Sequence, residues 1–188
     1  MKSLKKTVVI FAAFLSLPAL ADTYIVDPAH TFPSFEISHF GFSMVRGRFN
    51  KTSGSATLDL KAKKGSADIT IDAASVDTGH QKRDDHLRAP DFFNVAKYPT
   101  LKFTSDDFKF DGDKLVAVNG KLTILDVTKP VTLQVRSFHC APHPMNKKAS
   151  CGIDAITSVK RSDFGMTIFL PGIGDEVKIA IEMEGSVK

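Results

Sequence analysis

From Thr23 onward the chain alternates apolar and polar residues in short runs, the pattern of strands that bury one face and wet the other. Phe35, Ile37 and His39 share one face while Ser34, Glu36 and Ser38 share the other. Ala67, Ile69, Ile71 and Ala73 alternate with Asp68, Thr70 and Asp72. Val116, Val118, Gly120, Leu122 and Ile124 keep one parity, as do Val131, Leu133 and Val135, and finally Val177, Ile179, Ile181 and Met183. Asp111-Gly112-Asp113 is a strong hairpin turn. Roughly eight to ten antiparallel strands at this spacing predict an all-β chain, either a sandwich or an up-and-down barrel. Short turns between successive strands, together with 15 Phe and no Trp, favour the barrel. With about eight strands, its interior is wide enough for one small ligand.

One stretch departs from the alternation. Gly79 to Pro99, GHQKRDDHLRAPDFFNVAKYP, reads as a helical crossover over about residues 79–98. Read as helix, it puts Arg83 and Leu87 one turn apart and sets Asp84 against Arg88 at the spacing of a surface ion pair. Pro90 ends that turn, Asp91 caps a second short helix carrying Phe92, Phe93 and Val95, and Pro99 stops it. Such a segment packs its Leu and Phe side on the mouth or wall of the curled sheet.

Residues 1–21 carry Lys2, Lys5 and Lys6, then an apolar run from Val8 to Leu17, then Ala19-Leu20-Ala21. That is the form of a secretory signal helix cleaved after Ala21. The run is shorter than the roughly 20 residues a membrane span needs, so the mature chain, residues 22–188, is expected to have no membrane span. It is expected to be one domain, exported to an oxidising compartment. Losing three lysines and no acid takes the formal charge from +4 to about +1. The remaining basic residues form no stripe, which leaves no argument for nucleic acid.

Cys140 and Cys151, with ten residues between them, are the only thiols, and export to an oxidising compartment makes a disulfide the natural reading. A metal site from His139, Cys140, His143 and Cys151 is the sharper alternative, set back by the stiffening Pro142 and Pro144. A second metal grouping, His80, Asp84 and His86, fails on helix geometry because His86 points elsewhere, so no metal is expected. Enzyme motifs are absent as well: Gly41-Phe42-Ser43-Met44-Val45 lacks the second glycine of a nucleophile elbow, and Gly172-Ile173-Gly174 alone is no dinucleotide fingerprint. Asn50-Lys51-Thr52 matches a glycosylation sequon that short chains often carry by chance.

Each apolar residue on the inner faces has an ordinary role as core, but together they line a single interior, and any volume left open there is an apolar cavity suited to a long hydrocarbon. The candidate lining residues are Phe35, Ile37, His39, Gly47, Phe49 and Leu87, with Phe92, Phe93, Phe103, Leu122, Ile124 and Phe164. The small Gly47 and Gly120 are expected to leave room. Candidates for a ligand's polar head are His30, Arg83 and His86. Each also has a plainer structural role: His30 bracing the turn after Asp27-Pro28, Arg83 and Asp84 pinning the helix to a strand end.

These residues resemble a known family, the YceI-like lipid- and polyisoprenoid-binding proteins of the bacterial periplasm, over about Tyr24 to Glu184. Asp27-Pro28-Ala29-His30-Thr31 is similar to the family's D-P-x-H-S/T, and Phe35, Ile37 and His39 to F-x-V/I-x-H. Gly47 and Phe49 follow as G-x-F, and Ser75-Val76-Asp77-Thr78 as S-V/I-D-T. Arg83-Asp84-Asp85-His86-Leu87, Asp91-Phe92-Phe93, Tyr98-Pro99 and Phe103-Thr104-Ser105 come in the family's order and spacing. Gly120 to Ile124, Val127 to Val131, and Arg161, Asp163, Phe164 and Gly165 resemble G-x-L-T-I, V-T-K-P-V and R-x-D-F-G. Pro33 stands where an aliphatic residue is usual and should break the start of its strand's ladder; Asp126 replaces a turn glycine.

The resemblance implies an extended lipocalin-like antiparallel β-barrel. It further implies a non-catalytic carrier with no cofactor, holding as ligand an isoprenoid such as ubiquinone, polyprenyl phosphate or a similar long amphiphile. The alternative is a periplasmic stress or protein-interaction module with a fully packed barrel. By analogy, an edge-strand homodimer is a further expectation.

Overall fold

The computed structural model describes residues 21–188; the expected signal, apart from its last residue, lies outside them. Eleven strands form one antiparallel sheet: β1 (Asp22–Val26), β2 (Ser34–His39), β3 (Ser43–Phe49), β4 (Thr52–Asp59), β5 (Lys64–Asp72), β6 (Val76–Asp77), β7 (Thr100–Asp111), β8 (Lys114–Ile124), β9 (Val127–Pro142), β10 (Ala149–Lys160) and β11 (Ile173–Val187). The helix α1 (Gln81–Arg88) lies between β6 and β7. Pairing of β1 with both β4 and β11 closes the sheet into the expected barrel and not a sandwich.

Eleven segments make only eight staves, because three staves break at one level. β1 and β2 flank the Asp27–Pro33 turn, β3 and β4 flank Asn50-Lys51, and β5 and β6 flank a single 3-10 turn at Ala73–Ser75. The breaks are laced together: Phe49 N–H donates to the Pro33 carbonyl, Asn50 N–H to Ser75, and Asp72 N–H to Lys51. β11 bridges the first break, pairing with β2 through Ala180 and with β1 from Gly185. Pro33, which has no N–H for a ladder, sits at this break immediately before β2.

Up-and-down order puts the β2–β3 turn, the 78–99 crossover, the β8–β9 turn and the 161–172 segment at one end, the mouth. The opposite end is plugged by Tyr24, Leu58 and Cys151, packed with Phe108, Phe138, Cys140 and Val187. Cys140 and Cys151 face each other across β9 and β10 and are joined as the expected disulfide. Their bond removes the thiolate-metal alternative with His139 and His143.

β7 begins opposite Asp72, so among the described residues no strand pairs the outer edge of β6, and the crossover fills that slot. Arg88 supplies the missing donors, its Nε reaching the Ala74 carbonyl and its Nη2 the Val76 carbonyl, both at 2.8 Å. Two expectations for this segment are corrected. Arg88 pairs with Asp85 at 3.0 Å and not with Asp84, because Asp84 is buried and accepts hydrogen bonds from the Thr78 N–H and hydroxyl. Nor does a second helix form. Phe93 and Val95 return their N–H groups to the Leu87 and Arg88 carbonyls, Asn94 takes a positive φ, and Asp91 faces His86 at 3.5 Å instead of capping. Closing the end of α1 in this way leaves those N–H groups no helix of their own to build.

Two further expectations change with packing. Val116 is exposed while Leu115 and Val118 are buried, because the β7–β8 ladder shifts register between Lys109 and Phe110. The small residues also leave no room for a ligand. The Phe35 ring lies over Gly47 and the Phe103 ring over Gly120, each occupying the space a side chain would take.

A Cβ at Gly120 would stand 2.5 Å from the Phe103 ring and 2.6 Å from the Thr104 carbonyl oxygen. Gly120→Ala should therefore lower unfolding free energy by about 1–3 kcal/mol in a urea titration, since neither backbone nor ring can move aside freely. Reducing Cys140–Cys151, or replacing both with Ser, should remove about 3 kcal/mol by freeing a short loop in the unfolded chain. Comparing oxidised and reduced midpoints in denaturant measures it.

Candidate ligand-binding lumen

The rolled sheet encloses a cavity of about 490 Å³ running from the mouth, at His39, Phe40, His86 and Phe169, down to the plug at Tyr24, Leu58, Phe108 and Phe138. Its middle is walled by Phe35, Phe49, Phe103 and Leu122, all placed inward by strand alternation. From the crossover come Leu87, Phe92 and Phe93, with Phe93 edge-on to Phe49 at 5.4 Å between ring centres. The mouth has an aromatic lip. His86 stands edge-on to Phe92, Phe169 lies 6.1 Å from His86, and Phe40 packs over Gly172. Phe40 and Phe169 both take positive φ, which is costly for a bulky residue, and Phe42 at the β2–β3 tip is 91% exposed.

The mouth segment 165–173 is shaped by Arg161. This guanidinium is 4% exposed and donates to the carbonyls of Gly174, Met166, Ile168 and Ile173 at 2.7–3.0 Å. Burial pulls its pKa below the usual value, and the nearby Asp175 carboxylate partly offsets this. Asp175 accepts from the Ser162 N–H and hydroxyl, and the bond from the N–H is the main reason its carboxyl lies below the ordinary range. Arg83 is similarly engaged: Nε donates to the Thr78 hydroxyl at 2.7 Å and Nη2 to the Thr78 carbonyl at 2.9 Å. With Asp84 on the same Thr78, this pair pins α1 to the end of β6 while Arg83 still reaches the cavity wall.

Of the residues expected at the lining, Phe35, Ile37, His39, Phe49, Leu87, Phe92, Phe93, Phe103, Leu122, Ile124 and Phe164 border the cavity, as do Arg83 and His86. Gly47 and His30 do not. Gly47 is covered by Phe35, and His30 is exposed on the outside of the β1–β2 turn, its Nδ1 2.8 Å from Asp27. The sequence reading missed the plug end, where Tyr24, Leu58, Phe108 and Phe138 look like ordinary strand residues, and it missed Phe169, which no periodic pattern marks. Arg161 had a signal only in its family motif.

Residues 24–185 match the YceI-like domain. The chain belongs to the YceI-like family. The protein YceI of Salmonella arizonae is 40% identical over 177 residues, covering 92% of this chain and 91% of its own. BcnA of Burkholderia cenocepacia superposes with a TM-score of 0.71 at 29% identity, covering 85% of this chain and 98% of its own. The YceI protein of Campylobacter jejuni gives 0.68 at 31%, over 80% and 90%. A polyisoprenoid binding domain from Saccharophagus degradans, at 19% identity and a TM-score of 0.66 over 89% and 99%, shares the fold.

The Asp27–His30 pair makes a pH prediction for this YceI-like barrel. The hydrogen bond to Asp27 raises the His30 pKa and lowers that of Asp27. A raised imidazole pKa adds stability below the ordinary His value, lost as pH rises through the folded one. An NMR titration of His30 should find its midpoint above that of free imidazole, and Asp27→Asn should bring it back.

Proposed function

We propose that this chain is a periplasmic binding or carrier protein that holds one long amphiphile in its lumen, an isoprenoid such as a quinone or a polyprenyl phosphate, without catalysing a reaction on it. The observation that carries the reading is the apolar cavity of about 490 Å³, plugged at one end and rimmed by aromatics at the other, in a YceI-like barrel. Water inside such a wall finds few hydrogen-bond partners, whereas each methylene buried there gains about 0.8 kcal/mol gross. One five-carbon unit then contributes about 3–4 kcal/mol before ordering costs, so the tail dominates affinity and the head sets orientation. The relationship to a polyisoprenoid binding domain supports the same class of ligand.

Among the described residues no helix is long and apolar enough to cross a membrane, and the charged n-region with its apolar run supports export. The alternative of an interaction module required a solid barrel, and an open lumen removes that premise. A homodimer built by strand pairing has the upper part of β3 for its edge, where Ser43 to Gly47 have no ladder partner beyond β2 among the described residues.

Mass spectrometry of a lipid extract from natively purified protein should find about one long-chain amphiphile per chain. Ala67 lines the cavity and is 8% exposed. Ala67→Phe should fill the lumen and reduce retained lipid at least tenfold while unfolding stays cooperative; lipid retained undiminished would place the ligand elsewhere.

A further inference from the structure

Apart from Ile25 on the outer face of β1, the exposed large apolar residues divide between the two ends of the barrel, in different surroundings. At the plug end Leu60, Val116 and Met145 stand singly, at or beside hairpins that carry Lys61, Lys63, Lys114, Lys147 and Lys148. At the mouth Phe42 is 91% exposed, Phe40 56% and Phe169 52%, and Met44 is exposed next to the β2–β3 tip. The two segments that carry them, Ile37 to Val45 and Phe164 to Gly174, contain no Lys, Arg, Asp or Glu. They are tied together at Gly172, which lies under the Phe40 ring and whose carbonyl accepts the Phe40 N–H at 2.7 Å. The Phe42 N–H is likewise engaged, by the His39 carbonyl. The three rings expose the surface of roughly two whole Phe residues, on the order of 400 Å².

Resting on the carrier reading, we propose that the mouth docks on a phospholipid bilayer, with Phe42, Phe40 and Phe169 entering its interfacial layer, so that the amphiphile passes between bilayer and lumen without crossing water. Charge favours this occupant. Whatever enters that layer loses water, and these two segments have no charged side chain to desolvate, whereas the hairpins of the other end would take lysines in with them. Area favours it too. A stable protein partner covers about 800 Å² on each side, roughly twice what the rings present. Insertion into a bilayer instead scales with the apolar surface buried and needs no matched face. The patch is also continuous with the cavity, since Phe40 and Phe169 border it as well as facing outward. A hydrocarbon tail leaving the lumen here meets the layer that dissolves it, and in water it would meet the full cost of apolar hydration.

The chain has no Trp, so Phe42→Trp places a lone indole at the tip. With vesicles of phosphatidylethanolamine and phosphatidylglycerol its emission should move to shorter wavelength, while Met145→Trp at the opposite end should emit as it does without vesicles. The wild type should co-sediment with these vesicles, and Phe42→Ser should weaken binding about tenfold, the size of one Phe side chain returned to water. Lipid retained through native purification should be undiminished in Phe42→Ser, whose site does not border the cavity, but should leave for excess vesicles about tenfold more slowly than from the wild type. Raising salt should change binding less than about twofold, because the tips carry no charge. No shift from Phe42→Trp, an equal shift from Met145→Trp, binding abolished by salt, or equal release rates would overturn the docking. So would a shift that needs no vesicles and grows with protein concentration, the sign of a second copy covering the mouth. In each case retained lipid leaves the carrier reading in place; docking by a protein that retains no lipid would overturn the carrier reading instead, and failure of both retention and docking would overturn both.

Discussion

Closure of the ladder between β1 and β11 is what the rest of this protein hangs on. An open sheet of this length would expose a row of unpaired backbone groups at each edge and give its apolar face nothing to pack on. Joining the edges pairs the backbone of β1 on both sides and turns that face into an interior in one step. Strand number and tilt set the width of that inside, and the side chains lining it decide how much stays open. Here the Phe, Ile and Val residues of the wall narrow the lumen without filling it.

The barrel closes although three of its staves are broken, because the breaks coincide. Hydrogen bonds among Pro33, Phe49, Asn50, Lys51, Asp72 and Ser75 carry the ladder across them. Above that level β6 has no strand on its outer side among the described residues, and a side chain substitutes for one: the Arg88 fork meets the two carbonyls that a neighbour would have met. The crossover is thus a structural wall as much as a cover. Its Leu87 and Phe93 complete the apolar lining, while Arg83, Asp84 and Thr78 fasten it to β6. At the opposite end the disulfide lies within the plug, so the covalent link and the apolar seal stabilise the same closed floor.

The polar groups of the wall divide into those the fold uses and one that it does not. Arg161 and Thr31 are consumed in holding backbone, the first shaping the mouth segment and the second joining the β1–β2 break to β11. Among the described residues, Thr52 is the buried side chain left with an unmet hydroxyl.

Short turns and a Phe-rich, Trp-free composition favoured a barrel over a sandwich, and alternation by itself determined that the chain is all-β and which residues of a strand share a face, because side-chain direction along a strand follows from local backbone geometry. It also marked the crossover, where the alternation fails, and Pro33, whose missing N–H excludes it from a ladder. Local pattern could not see across strands. Whether Gly47 and Gly120 open space or accept a ring depends on Phe35 and Phe103 in neighbouring strands; where Val116 points depends on a register shift; whether Asp84 pairs with Arg88 depends on Thr78 being nearer. His30 looked like a binding residue until the turn placed it outside, and Phe169 entered the site through a loop with no periodicity. Only the tertiary structure settled those points and the size of the lumen, since each is a distance between residues far apart in the chain, set by how the sheet curls shut.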